Sequence, residues 1–411
     1  MKTKFTVVLA TLGASMAFTA CSDSPDGGRP IINEISLSRA ESQVCEAMSA
    51  FGVDMFREVA SDKTITDACP NFVVSPVSMA TALSMLANAT EGNVRSQICD
   101  ALGCDDIQAL NELNRKLMMF LPNPGRKCNI QLENSVWFRP EYTLTQPFKS
   151  AMSDYYFAPL VALDFKLKGS EDVINAWAAR ASHGILDHVV EHSEIEDAEA
   201  LLANVTYFNG KWEDDYFDEK NTKDAVFHGI MSDATVPMMH GVIETTYVYQ
   251  TDKWTAAKVF YNFPEIYIAL VRPADGVSLG EIASSFTADD FKNIVDSKYR
   301  CRLTIDLPRF KSAADINFNE TLKSMGINID VVNPDAMFES CNIEMPMTVI
   351  HKAQLETNER GTVAAAYTGE GMATLPPPPP SINLSFDVPF MYFIYDKSAQ
   401  TILMAGQFAQ P

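Results

Sequence analysis

The chain predicts an α+β fold, and three observations predict it. Helical patterns crowd the early sequence and strand patterns dominate the later part, without the regular strand–helix alternation of a doubly wound sheet. No internal repeat and no second linker divides the 411 residues, so they read as one large domain behind an N-terminal leader. Hydrophobic residues make up 47% and charged residues 21%, enough for a large core and unlike a disordered, collagen-like or disulfide-miniprotein chain.

The leader comes first. Lys2 and Lys4 precede an apolar stretch from Phe5 to Phe18, fourteen residues long and too short for an ordinary membrane span. Thr19-Ala20-Cys21 follows, then a polar run from Ser22 to Gly28. Small residues directly before a cysteine resemble the lipobox of bacterial lipoproteins. That resemblance implies a signal peptide over 1–20 and a lipidated Cys21 that anchors the mature chain in the cell envelope, at the outer membrane or cell surface. Residues 21–38 read as a polar tether, and 39–411 as the domain.

Within the domain, Val44, Met48, Phe51 and Phe56 recur at helical spacing and predict a helix over Glu41–Val59. Ser75-Pro76 starts a second helix that runs through Met79, Leu83 and Leu86 to Ala87. Further helical patterns cover Glu171–Ser182, Ala288–Ser297 and Asn319–Met325. Asn134–Phe138 and Leu201–Phe208 read as buried strands. Tyr247–Tyr249, Ala256–Val259, Tyr267–Val271 and Leu303–Leu307 read as further strands.

Charge and motifs exclude several functions. The formal charge is −21, and loss of Lys2 and Lys4 with the leader makes it −23. Such a chain is a poor ligand for nucleic acid or a glycosaminoglycan, and no Lys/Arg run offsets this. Apart from Cys21, seven cysteines remain; none forms C-x-x-C, and they read as buried thiols with one or two bridges. No G-x-S-x-G, G-x-G-x-x-G or phosphate-binding loop is present, and no cofactor is implied. His188-Val189-Val190-Glu191-His192 matches H-x-x-E-H. On a helix it would pair two histidines on a metal, with Glu194 or Glu196 as third ligand. The motif is short and its surroundings are acidic, so a solvated charged segment is the better reading.

Residues 356–380 are unlike any core element. Thr362, Ala364, Ala366 and Thr368 share one face of an extended chain, and Val363, Ala365 and Tyr367 share the other. One face is uniformly small, so such a strand can enter a sheet without overpacking. Pro376–Pro380 cannot donate to a ladder, so insertion must stop by Leu375, and the run forms a stiff strut of roughly 15 Å.

The run Glu359-Arg360-Gly361-Thr362-Val363-Ala364-Ala365-Ala366-Tyr367-Thr368 resembles the reactive-loop hinge of the serpins. Asn71 to Ser78 and on to Leu86 is similar to the family's shutter, and Leu202-Ala203-Asn204 with Tyr207 to Trp212 to its central strand and breach tryptophan. Val236 to Met239, Leu307 to Lys311, His351 to Ala353 and Val388 to Gly406 match in order and spacing, so the resemblance covers about residues 40–411.

That resemblance implies a serpin fold: a large mixed sheet, two smaller sheets, about eight or nine helices and an exposed reactive-centre loop. It implies a monomeric protease inhibitor, not an enzyme, that traps its target as a covalent acyl-enzyme when the cleaved loop enters the large sheet. The hinge would comprise Glu359, Gly361, Thr362, Ala364, Ala365, Ala366 and Thr368. Ser75, Ser78, Asn204 and His351 would form the shutter, with Trp212 and the Arg309–Glu359 pair where the loop enters. The alternative is a non-inhibitory serpin-fold protein that docks partners through its prolines. The small Ala364-Ala365-Ala366 hinge favours inhibition.

Family spacing puts the reactive bond after Leu375, but Pro376 follows it and would hinder cleavage there. The segment from there to Pro389 is about three residues longer than usual, and Glu370 places a charge in the inserting half. The expected bond is therefore Thr374–Leu375, then Ala373–Thr374, with Met372–Ala373 the least productive. None of these has Lys or Arg before it, which disfavours trypsin-like targets. Elastase-like and subtilisin-like serine proteases fit, as do some papain-like cysteine proteases.

Overall fold

The structure is a computed structural model that describes residues 29–411 except 69, 124–127, 214–215, 315, 317, 340–343, 346 and 363–378. The chain separates into Met1–Pro30, of which Arg29 and Pro30 are described, and Ile31–Pro411, which carries every element below. No helix among the described residues is long and apolar enough to cross a membrane.

The first part is helical. α1 (Arg39–Ser61) starts at a capping box in which Ser38 and Glu41 exchange hydrogen bonds of 2.8 and 3.2 Å, satisfying two otherwise unpaired N–H groups. α2 (Lys63–Ala68), β1 (Phe72–Val74) and α3 (Pro76–Ala89) follow. Ser75 caps α3 and Pro76 sits in its first turn. Next come α4 (Asn93–Leu102), α5 (Ile107–Phe120), β2 (Cys128–Phe138), α6 (Gln146–Tyr156), β3 (Leu160–Ala162), α7 (Ser170–Ala181), α8 (His192–Ile195) and β4 (Ala200–Lys211).

Strands then dominate: β5 (Lys223–His228), β6 (Asp233–Gln250), β7 (Trp254–Phe260) and β8 (Ile266–Pro273). After α9 (Leu279–Ser285) and α10 (Ala288–Asp296) come β9 (Tyr299–Pro308), β10 (Phe310–Ala314) and α11 (Phe318–Ser324). The chain ends with β11 (Thr348–Thr357), β12 (Gly361–Thr362), β13 (Ser381–Ser385), β14 (Phe390–Asp396) and β15 (Thr401–Phe408).

Two sheets organise these strands. The six-stranded sheet runs β10-β11-β4-β2-β3, with β12 also on β4. The nine-stranded sheet runs β1-β15-β14-β8-β7-β6-β9-β13, with β5 on β6. The two smaller sheets expected from the sequence are thus one hydrogen-bonded sheet. The eighteen-residue β6 joins them, pairing with β5 at one end and β7 at the other, and with β9 through a register shift between Ile243 and Thr246. The described residues form eleven α-helices, against the eight or nine that the resemblance implies; α2, α8 and α9 are too short to give a periodic signal.

β4 is buried on both faces, as its apolar run predicts. Ala200, Leu202 and Phe208 belong to the main core with α1, α3, α5 and α6, while Leu201, Ala203 and Val205 pack with Ile174 and Ala178 of α7. This alternation fixes which face any neighbouring strand presents to which core.

The packed chain begins before α1. Ile32, Ile35 and Leu37 lie against the main core, and the Ile32 N–H donates to Met119 O at 3.1 Å. The segment expected to be tether up to residue 38 therefore already carries core contacts over its last residues.

Candidate functional site

β4 and β11 run parallel and pair from Thr348↔Leu201 to Lys352↔Val205. Beyond that point β11 continues to Thr357 against β10, and β4 continues to Gly210 against β2. Among the described residues, Thr206–Asn209 of β4 and Ala353–Thr357 of β11 have no strand between them. The six-stranded sheet is zipped at one end and open at the other.

β11 then turns back on itself. Asn358 and Gly361 exchange backbone hydrogen bonds of 2.9 and 3.1 Å around Glu359-Arg360. Gly361 and Thr362 enter the open end antiparallel to Lys211 and Gly210. Gly361 has φ 118, and a Cβ there would lie 2.2 Å from the Gly210 carbonyl oxygen, so only glycine fits. Trp212 covers this turn. Its ring stacks on Tyr261 at 4.9 Å, and its Nε1 donates to Asn358 O at 3.0 Å.

Glu359 is pinned at the corner. The Arg309 guanidinium donates to both carboxylate oxygens at 2.7 to 2.9 Å, and the Thr222 hydroxyl donates to Oε1. Burial by itself raises the Glu359 carboxyl, but the hydrogen bonds from Arg309 and Thr222 outweigh it and hold it below the usual range. The turn is thereby tied to the start of β10.

A polar cluster lies under the zipped end. His351 and Asn204 are direct register partners across β11 and β4. The N-terminus of α3 reaches both strands. The Ser75 N–H donates to His351 Nε2 at 3.0 Å, and the Ser78 hydroxyl donates to Asn204 Oδ1. The Ser75 hydroxyl donates to Leu403 O at 2.7 Å and caps α3. Asn204 Nδ2 donates to Asn134 Oδ1, and Asn134 Nδ2 donates to Tyr156 O at 2.9 Å. One helix terminus thus holds the two strands together through one serine each.

His351 accepts at Nε2, so its neutral ring carries the proton on Nδ1, which has no hydrogen-bond partner among the described residues. Burial lowers its pKa from 6.5 to about 4. The unfolded chain then binds this proton below pH 6.5 while the native chain does not. Stability from this group is complete above pH 6.5 and falls as pH drops towards 4, by about 3 kcal/mol. We expect the melting temperature of the protein to fall over that range by more than that of a His351→Gln variant. Parallel pH profiles for the two would contradict this assignment.

The structure thus brings Ser75, Ser78, Asn204 and His351 into one cluster, and Trp212, Arg309, Glu359 and Gly361 around one turn. The backbone of Thr362 is placed beside them. Ala364, Ala365, Ala366 and Thr368 of the hinge lie outside the described residues, as do the bond candidates Met372, Ala373, Thr374, Leu375 and Pro376 and the lipidation candidate Cys21. The sequence reading missed Asn134, Thr222 and Tyr261. A polar residue opening a buried apolar strand, as Asn134 does in Asn134–Phe138, was a usable signal, because a buried amide needs a partner.

The H-x-x-E-H motif is not on one helix. Residues 186–191 precede α8, which begins at His192. His188 pairs with Glu191 at 3.0 Å, while His192 pairs with Glu171 at 3.0 Å, so the two rings do not share a face. Val189 and Val190 are buried, with both N–H groups donating to Asn175 Oδ1. The segment is therefore half anchored, not evenly solvated. Cys45, Cys104 and Cys301 are buried free thiols and Cys99 is a partly buried one, while Cys69 and Cys341 lie outside the described residues.

Comparison with known proteins agrees with this architecture. The family described as "Serpin (serine protease inhibitor)" matches residues 46–411. The leukocyte elastase inhibitor of Equus caballus is 27% identical over 385 residues, covering 90% of this chain and 100% of the relative. A serine protease inhibitor of Cyanea capillata is 28% identical over 365 residues, covering 85% of this chain and 95% of the relative. Among solved structures, the thermophilic serpin tengpin in its native state superposes with a TM-score of 0.80 at 23% identity, covering 92% of this chain and 96% of that one. With the family matched over most of its length, the chain belongs to the serpin family.

Proposed function

We propose that this protein is a suicide-substrate inhibitor of serine proteases and of some papain-like cysteine proteases. The observation that carries the proposal is the half-open sheet with Gly361 and Thr362 already paired at its mouth. Continuing that antiparallel register sets residues 363–366 against Asn209–Thr206, the stretch of β4 open towards β11, and reaches the first residue of β4, Ala200, at Met372. Directly opposed residues share a face, so Thr362, Ala364, Ala366 and Thr368 would face the main core, as Phe208 and Leu202 do. The small residues thus fall on the face that would press on the main core.

The protease serine attacks the carbonyl carbon of the residue before the cut. An ester to the serine Oγ forms, the peptide bond breaks, and the next residue leaves as a free amine. The freed strand then zips down β4 and must part the five pairs from Lys352↔Val205 to Thr348↔Leu201, which the α3 serines hold from below. The same register sets Glu370 opposite Leu202 on the core face, so a carboxylate has to be buried or protonated in the last part of the movement.

A cut before Met372 frees too short a strand, which supports Thr374–Leu375 as the bond, then Ala373–Thr374. The Arg302 N–H donates to Pro380 O at 2.9 Å, so the described end of the proline run leads into β13 at the sheet edge. We expect elastase-like and subtilisin-like enzymes to give a covalent complex that survives denaturing electrophoresis, and trypsin to give none. Mass spectrometry of the released C-terminal fragment should find it beginning at Leu375 or Thr374. A fragment beginning at Gly361, or efficient trapping of trypsin, would overturn the assignment.

We also propose that Cys21 carries a lipid and holds the protein at the cell envelope. The support is the sequence Thr19-Ala20-Cys21 behind a charged and apolar leader. Cys21→Ala should move the protein out of the membrane fraction. Its retention there would end the proposal, and protease treatment of intact cells distinguishes the outer surface from the periplasmic face.

A further inference from the structure

α4 ends between two cysteines. Gly103 follows its last residue in the left-handed conformation, with φ 66. The Gly103 N–H donates to Asp100 O at 3.3 Å, and the Cys104 N–H donates to Cys99 O at 2.9 Å. These two bonds make a Schellman motif, which commonly brings together the side chain after the glycine and the one five residues before it. Here both positions are cysteine. Only glycine fits between them, because a Cβ on Gly103 would lie 2.3 Å from that of Ala47 on α1. The 2.9 Å backbone bond draws the two cysteine Cα atoms close, as a disulfide requires.

The turn sets the two thiols against each other, and they are unequal. Cys104 is buried, and its S–H donates to the partly exposed Cys99. That hydrogen bond is the main reason the Cys99 thiol is held below its ordinary range, at about 7; burial opposes it, and Arg95, one turn earlier on α4, assists. The same bond, with burial, pushes the Cys104 thiol up. Burial also raises the thiols of Cys45 and Cys301. Cys99 thus combines access to solvent with thiolate character, and it has a second thiol directly behind it.

We propose that Cys99 and Cys104 are a reactive dithiol that closes to a disulfide by exchange with a small-molecule disulfide. The Cys99 thiolate attacks one sulfur of the donor, a mixed disulfide forms, and the other donor sulfur leaves as a thiolate and takes up a proton. The Cys104 thiol then gives up its proton and attacks the Cys99 sulfur. The intrachain bond forms and the second donor thiol leaves. Two protein thiols are oxidised, and one donor disulfide is reduced to two thiols. The bridge spans the same two residues as the backbone bond from Cys104 to Cys99, so it ties off the end of α4 without breaking the motif.

The test treats the folded, fully reduced protein with oxidised glutathione, alkylates the remaining thiols in denaturant and digests the product with trypsin. The peptide Ser96–Arg115 carries Cys99 and Cys104 and no other cysteine, so its mass reads this pair alone. In the parent protein it should be unalkylated and lighter than the reduced peptide by two hydrogens. Cys104→Ser should hold one glutathione on Cys99, while the buried thiol of Cys99→Ser should react roughly tenfold more slowly or not at all. A parent peptide with both thiols alkylated, a parent peptide that keeps its glutathione, or equal rates of glutathione attachment in the two variants would each overturn the proposal.

Discussion

Ala364→Arg should turn the protein from an inhibitor into a substrate. In the inserted strand proposed above, the register continued from Gly361↔Lys211 would set position 364 opposite Phe208, which belongs to the main core. Inserting an arginine there buries a guanidinium without a partner, at a cost of several kcal/mol. If that cost falls on the insertion barrier, a loss of about 4 kcal/mol slows insertion roughly a thousandfold. Hydrolysis of the acyl-enzyme then wins, and the gel should show cleaved protein where the parent shows complex. Thr362→Arg should act in the same direction. An Ala364→Arg variant that still traps protease with unchanged stoichiometry would rule out insertion along β4.

Cleavage of the loop should greatly stabilise the protein. Among the described residues, Thr206–Asn209 and Ala353–Thr357 are unpaired across the gap. Insertion from Gly361 to Met372 exchanges that gap and five strand pairs for a twelve-residue strand paired on both sides. With about 1 kcal/mol net for each added hydrogen bond and further burial of apolar side chains, the gain is on the order of 10 kcal/mol. In a chain of this size that corresponds to a rise in melting temperature of roughly 12 °C. Equal melting temperatures for intact and cleaved forms would favour the non-inhibitory reading.

The sequence made some of this legible and hid the rest for physical reasons. Periodicity located α1, α7, α10 and α11 within a few residues, because each buries one face, and Ser75-Pro76 with its apolar run located α3, which is buried almost all round. It assigned no helix to α4, α5 or α6, although Leu110, Leu113, Leu117 and Phe120 gave α5 a clear apolar stripe. The joining of two sheets through β6 could not be read, since alternation along a strand does not say where its neighbours change. Around the site, the family resemblance put Arg309 with Glu359 and Ser78 with Asn204 across long sequence separations. Asn134 and Thr222 escaped because their partners are set by strand register and by a loop, not by local spacing. The H-x-x-E-H segment shows the opposite case: a motif with apparent meaning spans a helix boundary.

The central claim is that the open end of the sheet is the place the loop fills. Amide hydrogen exchange tests it most directly, comparing intact protein with protein cleaved after residue 374. The account predicts that amides on the free edge of Thr206–Asn209 exchange readily in the intact form and become protected by orders of magnitude after cleavage. Equal exchange of these amides in the two forms would contradict it.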